Sequence, residues 1–162
     1  MHIDQTEKRW VWITLIMTFI MIGILTLYAV GSNIHPPSSF EPIDSTRLHV
    51  EGEFMEENLG VKNNPDGSVT LTMVAARYGF YPSSVEVPVD TPVKIRIASA
   101  DVLHGVHVPF TNYTTMVVPG YVAEVNTTFQ KTGDFSLLCN EYCGLGHDHM
   151  WSRLKVVDKT GS

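Results

Sequence analysis

Cys139, Cys143, His147 and Met150 follow the spacing C-x3-C-x3-H-x2-M, so one short stretch carries every soft ligand type. Thiolate, thioether and imidazole donors suit copper and, less selectively, zinc, whereas calcium and magnesium are held by oxygen. Gly144 and Gly146 give the backbone the tight path that convergence of these side chains requires. A mononuclear blue copper site uses one Cys, two His and a weak axial Met. This chain has two cysteines, and two thiolates can bridge two copper ions if a second imidazole and one further weak donor come from elsewhere. The best-placed imidazole is His104, in the run Asp101-Val102-Leu103-His104-Gly105-Val106-His107-Val108 ahead of the cysteine loop. For the weak donor, the backbone carbonyl of Glu141 lies between the cysteines.

Plainer readings compete with this one. Two cysteines in an exported domain often form a disulfide, but a disulfide gives no reason for His147 and Met150 at +4 and +7 from Cys143, nor for the glycines between them. Zinc is the main rival metal, since Cys2His2 is a zinc set, yet zinc has no use for Met150. Of the seven histidines, His2, His35, His49, His107 and His149 read as solvated or locally hydrogen-bonded rings. His107 is the closest case, and strand alternation sends it to the face opposite His104. Asn112-Tyr113-Thr114 and Asn126-Thr127-Thr128 read as chance sequons in a Thr-rich chain. Arg77-Tyr78-Gly79-Phe80-Tyr81-Pro82 reads as an aromatic-rich strand end, with a surface role as the alternative.

The elements that must position these groups follow from periodicity. Val69, Leu71, Met73 and Ala75 alternate with polar residues, which is the period of a half-buried strand. Similar runs occupy Ser84 to Val87, Pro92 to Ala98, His104 to Val108, Tyr121 to Phe129, Gly133 to Leu138 and Ser152 to Val157, separated by Pro, Gly and Asp turns. Short strands without a competing amphipathic helix predict a Greek-key β-sandwich. The cysteine loop then falls between two strands at one end of it. Asn63-Asn64-Pro65-Asp66-Gly67 is a turn signal, so the compact domain is expected to begin near Ser68.

The N-terminal region obeys another rule. No charge occurs from Trp10 to Ile34, and the apolar run Val11 to Val30 is long enough to cross a bilayer as a helix. Thr14, Thr18 and Thr26 can bond back to carbonyls of the preceding turn, while Trp10, Trp12 and Tyr28 fall where aromatic rings prefer the interface. A signal peptide would have a net positive start, a shorter apolar core and a small-residue cleavage site. An uncleaved anchor fits better, with Lys8 and Arg9 placing the N-terminus in the cytoplasm. Asp4 and Glu7 balance those two charges, so the whole net charge of −6 falls on residues 34–162. A partner drawn to that surface is more readily basic than acidic, and nucleic acid is disfavoured. The expected organisation is an N-terminus over 1–9, a transmembrane helix over 10–34, a proline-bearing linker and collar over 35–67, and a β-domain over 68–162.

His104 in D-V-L-H, followed by C-N-E-Y-C-G-L-G-H-D-H-M, resembles the CuA motif of cytochrome c oxidase subunit II. The single span and the wording of the ligand loop are most similar to the B family, the ba(3)-type haem-copper oxidases. The resemblance implies a cupredoxin-like domain on one membrane anchor, in the cell membrane with the copper domain outside the cytoplasm. It implies a dinuclear CuA centre bound by the side chains of His104, Cys139, Cys143, His147 and Met150 and by the Glu141 carbonyl. Asp148 and His149 occupy variable positions of the motif. Implied, too, is an electron-transfer subunit of an oxidoreductase. It would take electrons from cytochrome c or a similar soluble carrier and relay them to haem in subunit I, where oxygen is reduced to water with proton translocation. Nothing here supplies the oxygen-reducing site itself.

Two surface roles come with the resemblance. Tyr78, Phe80 and Tyr81 correspond to aromatic residues that lie over the copper site and receive the electron donor. Glu7-Lys8-Arg9-Trp10 is similar to the Glu-Lys-x-Trp that precedes the single span in the B family, where the glutamate sits at the cytoplasmic mouth of the proton channel. Nitrous oxide reductase carries a similar copper motif but after a large catalytic domain. A membrane-anchored copper chaperone would favour exposed, exchangeable Met and His clusters. A quinol oxidase subunit keeps the sandwich without the ligands.

Overall fold

A computed structural model of the chain describes residues 4–32, 41–50 and 52–159. The chain divides into an N-terminal helical unit and a β-rich unit. His2, Ile34, His35 and the proline-bearing stretch up to Phe40 lie outside the described residues.

Helix α1 runs Gln5–Gly31, 27 residues. Asp4 caps it by accepting a hydrogen bond from the Thr6 amide at 2.7 Å, which is why the helix starts ahead of the expected Trp10. Glu7 lies in the first turn, where a carboxylate complements the helix dipole. At about 1.5 Å per residue the helix exceeds the roughly 30 Å of a bilayer's hydrocarbon core. Thr14, Thr18 and Thr26 donate to carbonyls one turn back at 2.8–3.0 Å, so their hydroxyls are satisfied within the helix.

The β-unit is a sandwich of two sheets, and its topology is cupredoxin-like. The first sheet contains β1 (Glu41–Pro42), β2 (Gly60–Asn63), β3 (Val69–Ala76), β4 (Gly79–Tyr81), β6 (Pro92–Ser99) and β9 (Tyr121–Thr128), in the order β1-β9-β6-β3-β2 with β4 also on β3. The second holds β5 (Ser84–Pro88), β7 (His104–His107), β8 (Thr114–Val117), β10 (Gly133–Cys139) and β11 (Trp151–Val157), in the order β5-β11-β10-β7-β8. The pairs β3·β6 and β5·β11 are parallel and the others antiparallel. Leu71, Met73, Ile95, Ile97, Leu137 and Leu154 are fully buried between the sheets, as alternation with one face inward requires.

Every expected strand has a counterpart, but periodicity does not announce β1, β2, β4 or β8, and β1 and β2 precede Ser68. The expected linker therefore contributes strands to the sandwich. Its role follows from the outer face of the first sheet, where Ala98 and Val122 are apolar and need cover. Leu48 and Phe54, 3 % and 2 % exposed, pack on them; burying each such side chain contributes about 1.5–3 kcal/mol. Arg96 on that face ties the cover down, reaching Glu53 at 2.5 and 2.9 Å, Glu41 at 2.7 Å and Glu124 at 2.7 Å.

Candidate metal centre

The two sheets bring one end of β7 beside the loop that joins β10 to β11. His104 opens β7, Cys139 closes β10, and Met150 directly precedes β11. The loop is fixed by backbone hydrogen bonds: the Cys139 amide donates to Met150 O at 3.1 Å, Asn140 to Gly105 O at 3.3 Å, His147 to Gly144 O at 3.1 Å and Met150 to His147 O at 3.1 Å. A short 3-10 turn over His147–His149 presents His147 toward Cys143.

Three glycines make this approach possible. A Cβ at Gly105 would overlap the end of the Asn140 side chain and stand 3.2 Å from the Glu141 Cβ, so the bare position lets β7 and the loop pack closely. Gly144 has φ +132°, and a Cβ there would stand 2.6 Å from the Tyr78 hydroxyl. At Gly146 it would stand 2.5 Å from the Tyr78 ring. Tyr78 therefore lies directly on the backbone between Cys143 and His147. The sequence signals the glycines of the loop but not Gly105 or the aromatic ring that the loop glycines accommodate.

The side chains converge in two linked halves. Cys139 Sγ is 3.9 Å from His104 Nδ1 and 3.2 Å from the Glu141 carbonyl oxygen. Cys143 Sγ is 3.6 Å from His147 Nδ1 and 3.6 Å from Met150 Sδ. The sulfurs are 3.8 Å apart and both cysteines are free, far beyond the about 2.05 Å of a disulfide. Each sulfur thus has one imidazole nitrogen and one weak donor beside it. His104, Cys139 and Cys143 offer ligand atoms within 4.8 Å of one another. His104 is fully buried, Cys143 is 6 % and Met150 2 % exposed. Burial, and then the neighbouring Cys139 thiol, push the Cys143 thiol up to about 11, so a cation entering here must displace a proton.

That donor set fits a copper pair better than one zinc. A structural zinc takes four ligands in a tetrahedron, whereas six donors stand here in two sets of three that meet at the sulfurs. Thioether and thiolate sulfur are soft donors suited to copper.

Beyond the donors lies Asp101, to which the sequence pattern assigns no role. Its Oδ1 is 2.8 Å from His104 Nε2 and accepts from the Val102 amide at 2.6 Å. Its Oδ2 accepts from the Arg77 amide at 2.8 Å and from Arg77 Nε at 3.0 Å. Burial pushes the Asp101 carboxyl up, but hydrogen bonds from His104, Arg77 and Val102 outweigh it and hold the group at about 2. A carboxylate three residues before a candidate ligand is the signal that could have found it.

The other residues singled out by type or motif fall outside the cluster. His107 pairs with Leu138 and Thr114 across the second sheet. Asp148 and His149 are exposed, with His149 Nε2 3.4 Å from the carboxylate, and His49 is exposed. Of the aromatic patch, Tyr78 and Tyr81 are 41 % and 49 % exposed, but Phe80 is 1 % exposed. Phe80 faces inward because alternation along β4 turns it into the core, so it is a packing residue and no part of a surface.

Comparison with known proteins gives a consistent picture. The family model for cytochrome c oxidase subunit II, periplasmic domain, matches residues 68–157. Cytochrome c oxidase subunit 2 of Thermus thermophilus is 34 % identical over 154 residues, covering 94 % of this chain and 92 % of that protein. Among solved structures, a chain of a haem-copper terminal oxidase dimer superposes with a TM-score of 0.75 at 26 % identity, covering 94 % of this chain and 100 % of the other. The periplasmic domain of subunit II of the Bradyrhizobium japonicum cytochrome oxidase shares the fold, with a TM-score of 0.51 at 22 % identity over 56 % of this chain and 84 % of that one.

Proposed function

This chain belongs to the cytochrome c oxidase subunit II family, and on that premise we propose that it is the CuA-bearing electron-transfer subunit of a haem-copper oxidase. The observation that carries the reading is the paired donor set, one imidazole nitrogen and one weak donor beside each of two free sulfurs. Cys139 and Cys143, with His104 and the Glu141 carbonyl beside the first sulfur and His147 and Met150 beside the second, would hold a copper pair. When bound, such a pair supplies a one-electron store between a soluble cytochrome c or similar donor and the haem of subunit I.

The residues around the donors preorganise the site. The sandwich fixes His104 and Cys139 on adjacent strands, the glycines allow the loop to close, and burial of Met150 and His104 keeps water from the ligands. Tyr78 and Tyr81 offer exposed aromatic surface, and Tyr78 reaches the loop backbone between two donors, which supports a docking role for these two residues. Helix α1 would anchor the chain in the cell membrane as a single span, its N-terminus cytoplasmic and its β-unit outside. The first-turn position of Glu7 supports its placement at the cytoplasmic mouth of the partner's proton channel.

Copper analysis and EPR of the detergent-solubilised full chain test the central reading. The expected result is two copper ions per chain with a mixed-valence signal whose hyperfine structure is shared over both nuclei. A single blue-type copper, or zinc taken up in preference, would overturn it.

A further inference from the structure

Arg77 is half exposed, yet two of its nitrogens serve one buried-edge carboxylate. Its backbone amide and Nε both donate to Asp101 Oδ2, while Asp101 Oδ1 stands 2.8 Å from His104 Nε2. An ionised carboxylate only accepts, so the His104 proton sits on Nε2 and leaves Nδ1 bare toward Cys139. Ser99 holds the same turn, donating to Val102 O at 2.5 Å and accepting from the Asp101 amide at 3.3 Å. The result is a line of alternating charge and dipole, from the surface guanidinium through the carboxylate to the imidazole and the sulfur cluster.

We infer that Arg77 is a positioning residue that raises the reduction potential of the metal centre by offsetting the negative charge of Asp101 behind His104. This rests on the copper reading above. A carboxylate hydrogen-bonded to the far nitrogen of a ligand imidazole makes that imidazole a stronger donor and favours the oxidised metal. A cation on the same carboxylate withdraws part of that effect. Tyr78, the next residue, lies against Gly144 and Gly146, so one two-residue turn touches both halves of the site, β7 through Asp101 and the cysteine loop through the ring.

The test is potentiometry on the copper-loaded full chain in detergent, with nitrogen-15 NMR of the metal-free chain. Arg77→Gln removes the charge and is expected to lower the potential by up to about tenfold in the reduction equilibrium, about 59 mV for one electron. Asp101→Asn keeps an acceptor for His104 and is expected to raise it. The double variant should return close to the parent value, and Arg77→Lys should stay near it. Opposite signs are the signature of charge compensation, because mere loosening of the turn would move both single variants the same way. NMR should find the His104 proton on Nε2. An unchanged potential in Arg77→Gln, a shift of the same sign in both single variants, or a proton on Nδ1 would each overturn the inference. Failure of the parent chain to bind a copper pair would instead defeat the function proposed, and this role with it.

Discussion

The ligand loop over Cys139–Met150 and the segment over residues 41–58 are both irregular, and they are held in opposite ways. Close approach governs the loop: glycines under an aromatic ring, backbone hydrogen bonds across the β7 end, and sulfur and imidazole atoms within 4 Å of each other. The covering segment rests on two buried apolar side chains and a single arginine shared among carboxylates. The first arrangement specifies chemistry and the second specifies cover. Variants of the loop should therefore register in metal binding, and variants of the cover in stability.

Cys143→Ser has the largest expected effect. With one of the two proposed thiolate ligands replaced by a weaker oxygen donor, the proposed copper pair should be lost, read as a fall in copper content and disappearance of the mixed-valence signal. Met150→Leu removes only a weak donor and should keep the copper while altering its potential. Retention of an unaltered signal in Cys143→Ser would break the claim that the loop is specified by its sulfurs.

Next in size is Arg96→Met, which leaves Glu41, Glu53 and Glu124 without their shared cation. The expected cost is about 2–3 kcal/mol by chemical denaturation, below the figure for a fully buried pair because the site is partly solvated. The copper spectrum should not change. The pH dependence has a definite sign. Burial pushes the Glu124 carboxyl up, but hydrogen bonds from Arg96 and Lys94 outweigh it and hold it below the usual carboxylate range. A depressed folded value contributes stability above the unfolded carboxylate value and loses it as pH falls through the folded one. The gap between parent and variant should accordingly narrow in acid. A gap that stayed constant across pH would show that the arginine acts by packing alone.

Those two regions also differ in what a reader of the sequence could see. Ligand chemistry restricts residue type and spacing, so the Cys, His and Met positions and the strands of period two were legible. The segment over 41–58 has no period, because its side chains cover a small apolar patch from several short turns. Leu48 and Phe54 became core residues only once Ala98 and Val122 had been placed on the outer face of the first sheet. The partners of Arg96 are spread across 28 to 55 positions of sequence separation, and pairing at that distance leaves no local pattern. Phe80 was misplaced for a related reason, since the three-residue strand β4 is too short for its alternation to be read before its partner β3 is known.

Gly146→Ala sharpens the same division within the loop. The added methyl would meet the root of the Tyr78 ring at 2.5 to 2.9 Å, too close for the ring to escape by a small rotation. Overpacking of this kind costs about 1–2 kcal/mol, and here it should also perturb the copper spectrum because the displaced backbone carries Cys143 and His147. Combining it with Tyr78→Ala should relieve the strain and recover the spectrum. If the double variant were no better than the single one, contact with Tyr78 would not be what keeps this position bare.

The smallest effect belongs to Tyr113, where the polar bookkeeping of the core departs from that of the metal end. Around the donors the buried polar groups are partnered: His104 with Asp101, Ser99 with Val102 O, and Ser152 with Phe80 O. Tyr113, wholly buried among the apolar side chains between the sheets, carries a hydroxyl with no hydrogen-bond partner among the described residues. Burial alone pushes its ionisation far up, so the group stays neutral at any ordinary pH. An unpartnered buried hydroxyl costs about 1–3 kcal/mol of desolvation that no bond returns, while the ring around it still contributes apolar burial. Tyr113→Phe deletes the hydroxyl and keeps the ring. Chemical denaturation should then show a variant as stable as the parent or more stable by up to about 1 kcal/mol, with copper content and potential unchanged. A loss of stability would mean that the hydroxyl has a partner in solution, and the distinction between a fully paired metal end and an unpaired core would fall.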